Sequence, residues 1–353
     1  MKKAGIALIG LALVATVLYS VRAPLSTAIM GRTLERNMST SLLDSLPDGL
    51  HVVLCGAGGP LPDPVRSGGC VAVVAGDNLV IVDAGTGGAR NLNPMGLPVG
   101  QVDAVFLTHF HSDHIDGLGE MATLRWVSAA NQEPLPVYGP EGVEEVVAGF
   151  NRSYAMDADY RHAHHGDTVA PLSGQGMQAH MHPQPPDGEA VVVYESDGLV
   201  VTMIRVEHKP VEPAVAYLFN YKDRSALVSG DTVKSANLQT FARGVDLLVH
   251  EGLSASLVQQ MNKAAVRAGN EIVAKISADI PDYHTTPVEA AEIARDANVG
   301  HLLFYHVVPP TPLPGLKAAW LSGVDAVFER YTLGEDGTGF SLPAGSKDII
   351  AID

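Results

Sequence analysis

Residues 107–117 read LTHFHSDHIDG, placing His109, His111 and His114 with Asp113 and Asp116 inside eight positions. The stretch follows residues 104–107, AVFL, an apolar run that predicts a buried strand. Side chains two apart on an extended backbone leave the same face, so His109 and His111 can meet one cation. Asp113 and His114 follow where the strand must turn, and can serve a second cation beside the first. Imidazole with carboxylate suits zinc, with manganese or iron as alternatives, and a ligand set left one position short keeps a bound water reactive. A chain carrying this cluster must fold so that the missing ligands arrive from elsewhere, and the ends of packed strands are where such groups converge.

Taken in order, the chain offers those ends. From Gly49 the pattern is strand-like at residues 51–55, 70–74 and 79–82, the last two joined by Gly76-Asp77 and the last ending in Asp83, which serves either as a turn former or as a partner of a metal-bound histidine. Gly85 and Gly87 predict a close approach of backbone to the site. A helix is expected over 118–130, a strand over 135–138 and a further helix from Glu141. Residues 157–188 hold His162, His164, His165, His180 and His182 among Gly, Pro and Gln, and read as a long surface loop, placed to act as a lid. Strands at 191–194, 199–206, 214–219, 225–228 and 245–249 follow, delivering Glu207-His208, Asp231 and His250-Glu251. Thr286, Pro287 and Glu289 form a helix start with a capping box, leaving His284 just before a helix N-terminus. The strand at 302–305 ends in His306. His250 reads as a core histidine satisfied by local bonds.

Residues 4–21 are uncharged and apolar after Lys2 and Lys3, which predicts an export signal or a retained membrane anchor, and a protein that is periplasmic, secreted or tethered by that segment. The net charge of −16 repels phosphate backbones, so nucleic acid is not an expected partner. Cys55 and Cys70 could pair in an oxidising compartment; two unpaired, buried cysteines is the reading preferred here.

At these residues the chain resembles the metallo-β-lactamase superfamily: residues 109–114 match its HxHxDH motif, and Asp83-Ala-Gly85, His208, Asp231 and His306 fall where its other motifs fall. The segments 229–232 (SGDT), 249–251 (VHE) and 284–286 (HTT) are most similar to the ribonuclease Z and arylsulfatase branch. The resemblance implies an α/β fold of the α+β kind, a four-layer αββα sandwich, which is expected over residues 49–353; the residue pattern itself places an export or anchor segment at 1–28 and a tether at 29–48 before it. It implies two Zn2+ ions per chain, one held by His109, His111 and His208 and the other by Asp113, His114 and His306, with Asp231 bridging. It further implies a metal-bridging hydroxide as nucleophile; beside it Asp113 is placed to orient that hydroxide, His284 to donate to a developing oxyanion or protonate the leaving group, and Glu251 to support or relay protons for the site. Transfer-RNA-processing members carry a long Gly/Pro-rich arm between the residues matching His208 and Asp231. Here residues 209–230 are mostly consumed by two strands, so the expected substrate is a small phosphodiester, sulfate ester or related ester rather than precursor RNA. A β-lactam or lactone ring hydrolase is the alternative enzyme, a non-catalytic metal-stabilised binding protein the alternative of another class, and a homodimer is compatible with both.

Overall fold

The computed structural model describes residues 2–39, 41–313 and 315–352, with side chains at 16, 18–36 and every described position from 41 onward. The chain divides into two units, Met1–Ser45 and Leu46–Asp353. In the first, one helix spans Lys2–Ser39 and a 3-10 turn follows at Leu43–Ser45. Leu18, Tyr19, Leu25, Ile29 and Met30 are exposed on that helix. Among the described residues no helix is long and apolar enough to cross a membrane. Most of residues 4–21, the expected signal or anchor, lies outside the described side chains. The expected tether at 29–48 is helical as far as Ser39, through Arg32, Leu34, Glu35 and Arg36, all good helix formers.

The second unit is built on two sheets. Strands β1 (Gly49–Gly56), β2 (Cys70–Ala75), β3 (Asn78–Val82), β4 (Ala104–Phe106), β5 (Leu135–Gly139) and β6 (Met177–Met181) belong to the first. The second holds β7 (Ala190–Ser196), β8 (Leu199–Arg205), β9 (Val215–Tyr221), β10 (Arg224–Val228), β11 (Leu247–Leu253), β12 (His301–Val308) and β13 (Tyr331–Leu333), and β14 (Gly339–Pro343) and β15 (Ile350–Ile352) return to the first. The orders are β15-β14-β1-β2-β3-β4-β5-β6 and β13-β12-β11-β10-β9-β8-β7. Residues at period two, among them Leu50, Val52, Val71, Val73, Phe106, Tyr217, Phe219, Val249 and Tyr305, pack between the sheets. The outer face of the second sheet is covered by the helix Pro287–Asp296 through Ala290, Ile293 and Ala294, which meet Leu248, Leu302 and Phe304. Helices Leu118–Ala129 and Val143–His165 lie on the first sheet. The result is the expected αββα sandwich, and burial on both faces explains why β1 to β3 read as unbroken apolar runs.

The topology also sets where the chemistry lies. β3, β4, β5 and β6 run parallel in one sheet, and β10, β11, β12 and β13 in the other. Parallel neighbours end on one side, so the loops after their C-terminal ends gather at one rim of the sandwich.

Two expectations are corrected. Residues 157–188 are not a long loop: the helix continues to His165, where Gly166 at φ 63° ends it, and Met177–Met181 is β6, paired in parallel with β5. His180 stacks on Tyr138 with ring centroids 4.6 Å apart. Among the described residues, none of the groups able to hold a metal includes any of these five histidines. Cys55 and Cys70 are joined in a disulfide with Cα atoms 5.0 Å apart. A register shift between Leu54 and Gly56 in the β1–β2 ladder brings Cys55 beside Cys70, and strand register is not legible in strand composition.

Far from the rim, burial keeps two histidines neutral. His51 bonds to Ser341 Oγ and Pro47 O and lies below its usual 6.5, and His301 is pushed down to about 4, by burial and then by Arg330. The unfolded chain takes up these protons near pH 6.5, whereas the folded chain takes up that of His301 only near 4 and that of His51 below its usual range, so their stabilisation is complete above 6.5 and is lost as pH falls below it. The urea midpoint is therefore expected to drop between pH 7 and pH 4.5, with a shallower drop in His301→Gln; equal slopes in the two proteins would refute this.

Candidate metal centre

The candidate ligands follow strand ends, except His306, which lies inside a strand. β4 leads into Thr108 and His109, β8 into His208, β10 into Asp231 and β12 contains His306. His306 lies where the β11–β12 register shifts, so it is the extra residue of a bulge, and its φ is 47°. The bulge turns its imidazole toward the rim, a conformation a non-glycine residue holds only when its surroundings impose it. Asp83 ends β3 with φ 57°, so it both turns the chain and points its carboxylate inward. Glycines leave room for this: a Cβ on Gly59 would lie 3.0 Å from His306 Cε1, and one on Gly85 only 2.2 Å from the Asp113 carbonyl oxygen.

The side chains gather into two groups that share one carboxylate. His109, His111, His208 and Asp231 form the first and Asp113, His114 and His306 the second, with ligand atoms in each group within 4.8 Å of one another. Asp231 Oδ2 is 3.8 Å from Nε2 of both His109 and His208 and 3.4 Å from His306 Nε2, while its Oδ1 is 3.5 Å from His114 Nε2. Asp113 Oδ2 is 3.0 Å from His306 Nε2 and 3.6 Å from His114 Nε2. All seven residues predicted as ligands are thus brought together. Two donors each about 2.0–2.2 Å from one zinc ion lie within about 4.4 Å of each other, and the distances given from Asp231 and Asp113 to the imidazole nitrogens satisfy that.

The tautomers are set from outside the cluster. His114 Nδ1 donates to Asp83 Oδ2 at 2.8 Å, His208 Nδ1 to the Tyr283 carbonyl at 2.8 Å, and His109 Nδ1 to Thr108 Oγ1 at 3.1 Å, since that hydroxyl spends its proton on Asp83 Oδ2. Nε2 of all three therefore faces the centre as a lone pair. His109 Nε2 and His208 Nε2 lie 3.0 and 3.4 Å from His111 Nδ1, so at most one proton sits among three converging nitrogens. His114 Nε2 and Asp231 Oδ1 are buried with no hydrogen-bond partner. Dry lone pairs pointing at one another are costly unless a cation stands between them, so the residues fit divalent metal, typically zinc.

Electrostatics follow. Burial and then the charge of His114 put His109 well below 6.5. Burial opposes positive charge at His114, yet Asp231, Asp83 and Asp113 favour it and raise the imidazole well above its usual value; the same three carboxylates favour a metal cation at Nε2 in place of that second proton. Asp113 sits at about 2, and Asp231 well below its usual 3.8; burial opposes both, and neighbouring imidazoles overcome it.

His284 and Glu251 stand beside the cluster. His284 Nδ1 is 3.3 Å from Glu251 Oε1 and 4.0 Å from Asp231 Oδ2, and against its burial these carboxylates raise it to about 9. Glu251 Oε1 also accepts from Thr285 N at 2.7 Å, so the chain that presents His284 is pinned to its partner. His250 bonds locally to the Glu251 carbonyl, consistent with a core role. Thr108 and Tyr283 were not assigned roles from sequence; both flank assigned residues directly, and that adjacency was the available signal.

Comparison with known proteins agrees with this geometry. A β-lactamase superfamily domain model matches residues 78–307, more than half of the chain. A ribonuclease Z of Mycobacterium sp. (strain KMS) is 34% identical over 289 residues, spanning 81% of this chain and 94% of that one. The short form of human tRNase Z superposes with TM-score 0.58 at 20% identity over 83% of this chain and 99% of its own. The metallo-β-lactamase fold protein YhfI of Bacillus subtilis does so with TM-score 0.57 at 18% identity, over the same shares. These relatives lend no support to the expectation that nucleic acid is not a partner. The chain belongs to the metallo-β-lactamase superfamily, among its ribonuclease Z-like members, and is a metal-dependent hydrolase.

Proposed function

We propose that the chain is an exported dinuclear zinc hydrolase that cleaves small phosphodiesters or related esters. The observation that carries this is Asp231, whose two oxygens lie within 3.8 Å of ligand nitrogens from both groups. Two divalent cations held there would supply Lewis acidity to activate water and stabilise developing charge. The protein's own part is positional. Asp83 and Thr108 orient His114 and His109, Asp113 accepts a hydrogen bond from the attacking water or hydroxide and so orients it, and His284, kept protonated by Glu251, donates a proton to the leaving oxygen. The disulfide and the apolar run at 4–21 support an oxidising compartment outside the cytosol.

The connection between His208 and Asp231 is short: β9, β10 and the turn at Lys222-Asp223 take up residues 215–228, leaving residues 209–214 and 229–230 outside them, too few for a long arm. The net charge of −16 also disfavours a long polyanion. The mycobacterial relative named ribonuclease Z, matched over 94% of its length, favours RNA as the second reading.

The purified chain is expected to hold two metal ions and to turn over a nitrophenyl phosphodiester faster than an aryl sulfate, a chromogenic cephalosporin, a lactone or a precursor transfer RNA. Fewer than two ions together with no turnover of any of them would sink the reading. Strong, salt-sensitive cleavage of the RNA would replace it with the second.

A further inference from the structure

We propose that Tyr283 is a specificity-determining residue whose ring stacks against an aromatic or heterocyclic arm of the substrate; the inference rests on the phosphoryl-centred reading above. The ring lies 4.8 Å from that of His208 and 4.7 Å from that of His284, centroid to centroid. Those two histidines are 1% and 7% exposed, whereas Tyr283 is only partly buried. Tyr283 therefore stands between one ligand of the first group and the proton-donating histidine on one side and solvent on the other. A substrate whose reacting atom reaches both must pass it.

Its placement is rigid. The Tyr283 carbonyl accepts from His208 Nδ1, and two residues on Thr285 N is held by Glu251, so the backbone is anchored at Tyr283 and just after it. A ring already ordered costs little entropy when a ligand stacks on it. Among the described residues the Tyr283 hydroxyl makes no hydrogen bond to a protein group. A tyrosine serving only as filler usually buries its whole ring and satisfies its hydroxyl, whereas Tyr283 buries its ring only in part and leaves the hydroxyl open.

The test is direct binding, so that it does not depend on turnover. Calorimetric titration of the zinc-loaded full chain with phenylphosphonate and with methylphosphonate reads the contribution of an aromatic arm on a common head group. Phenylphosphonate is expected to bind about 10-fold more tightly, within the range that stacking on an aromatic side chain supplies. Tyr283→Leu should collapse that preference to about twofold or less while zinc content stays unchanged, and Tyr283→Phe, which keeps the ring, should restore it. Equal affinities in the unaltered chain, or a preference that survives in Tyr283→Leu, overturn the inference alone. Loss of zinc in Tyr283→Leu would show a structural role instead, and also overturns it. If neither phosphonate binds the unaltered chain, the phosphoryl-centred reading fails and takes this inference with it.

Discussion

Asp231→Asn is expected to reduce bound metal from two ions to one or none and to lower turnover by about 10³-fold, the loss of roughly 4 kcal/mol of charge stabilisation. The reason is geometric. Asp231 is the one carboxylate within 3.8 Å of nitrogens from His109, His208, His306 and His114, and it is 2% exposed. An amide of the same shape keeps the packing but removes the negative charge that both ligand groups share, and in a dry site that charge is not replaced by solvent. Metal analysis and steady-state kinetics on the same preparation check it, with His162→Ala, on the exposed end of the helix Val143–His165, as a control that should keep both ions. An Asn variant that retained two ions with near-normal turnover would refute the shared role of Asp231.

How far the site can be read from the chain depends on what each residue needs from the rest of the fold. Residues 109–114 needed nothing: a strand followed by a turn puts four donors in place by local geometry. The capping box at Thr286 and Glu289 was equally local, and both of its hydrogen bonds form. His208, Asp231 and His306 were legible as residues at strand ends, because apolar runs stop just before them. What could not be read is how His306 faces inward, since that requires a bulge in a ladder whose partner, β11, lies some fifty residues earlier. The Cys55–Cys70 bond fails for the same reason: it depends on a register shift, which strand composition does not encode. The helix to His165 and strand β6 were hidden by polar, histidine-rich composition, and β6 is recruited as an edge strand by pairing with β5 rather than by its own apolar pattern. Asp83 shows how a forced choice can mislead, because its φ of 57° makes it a turn residue and its carboxylate still holds His114.

His284→Ala is expected to lower turnover by about 10²- to 10³-fold on a diester with an alkyl leaving group while leaving two ions bound, because a positioned general acid contributes on that order. The same variant should lose far less on a nitrophenyl diester, whose phenolate departs without needing a proton. That contrast separates proton donation from a ligand role. Asp231, His284 and His306 also form a third group able to hold a metal, so metal content is the readout of a ligand role for His284. Its nearest carboxylate is Glu251 at 3.3 Å rather than Asp231 at 4.0 Å, which favours the proton-donating role. Glu251→Gln should follow the same pattern with a smaller loss, since the amide still accepts from Thr285 N but no longer supplies the charge that keeps His284 protonated. Equal losses on alkyl and nitrophenyl substrates, or release of metal from His284→Ala, would move His284 out of the acid role and into the ligand set.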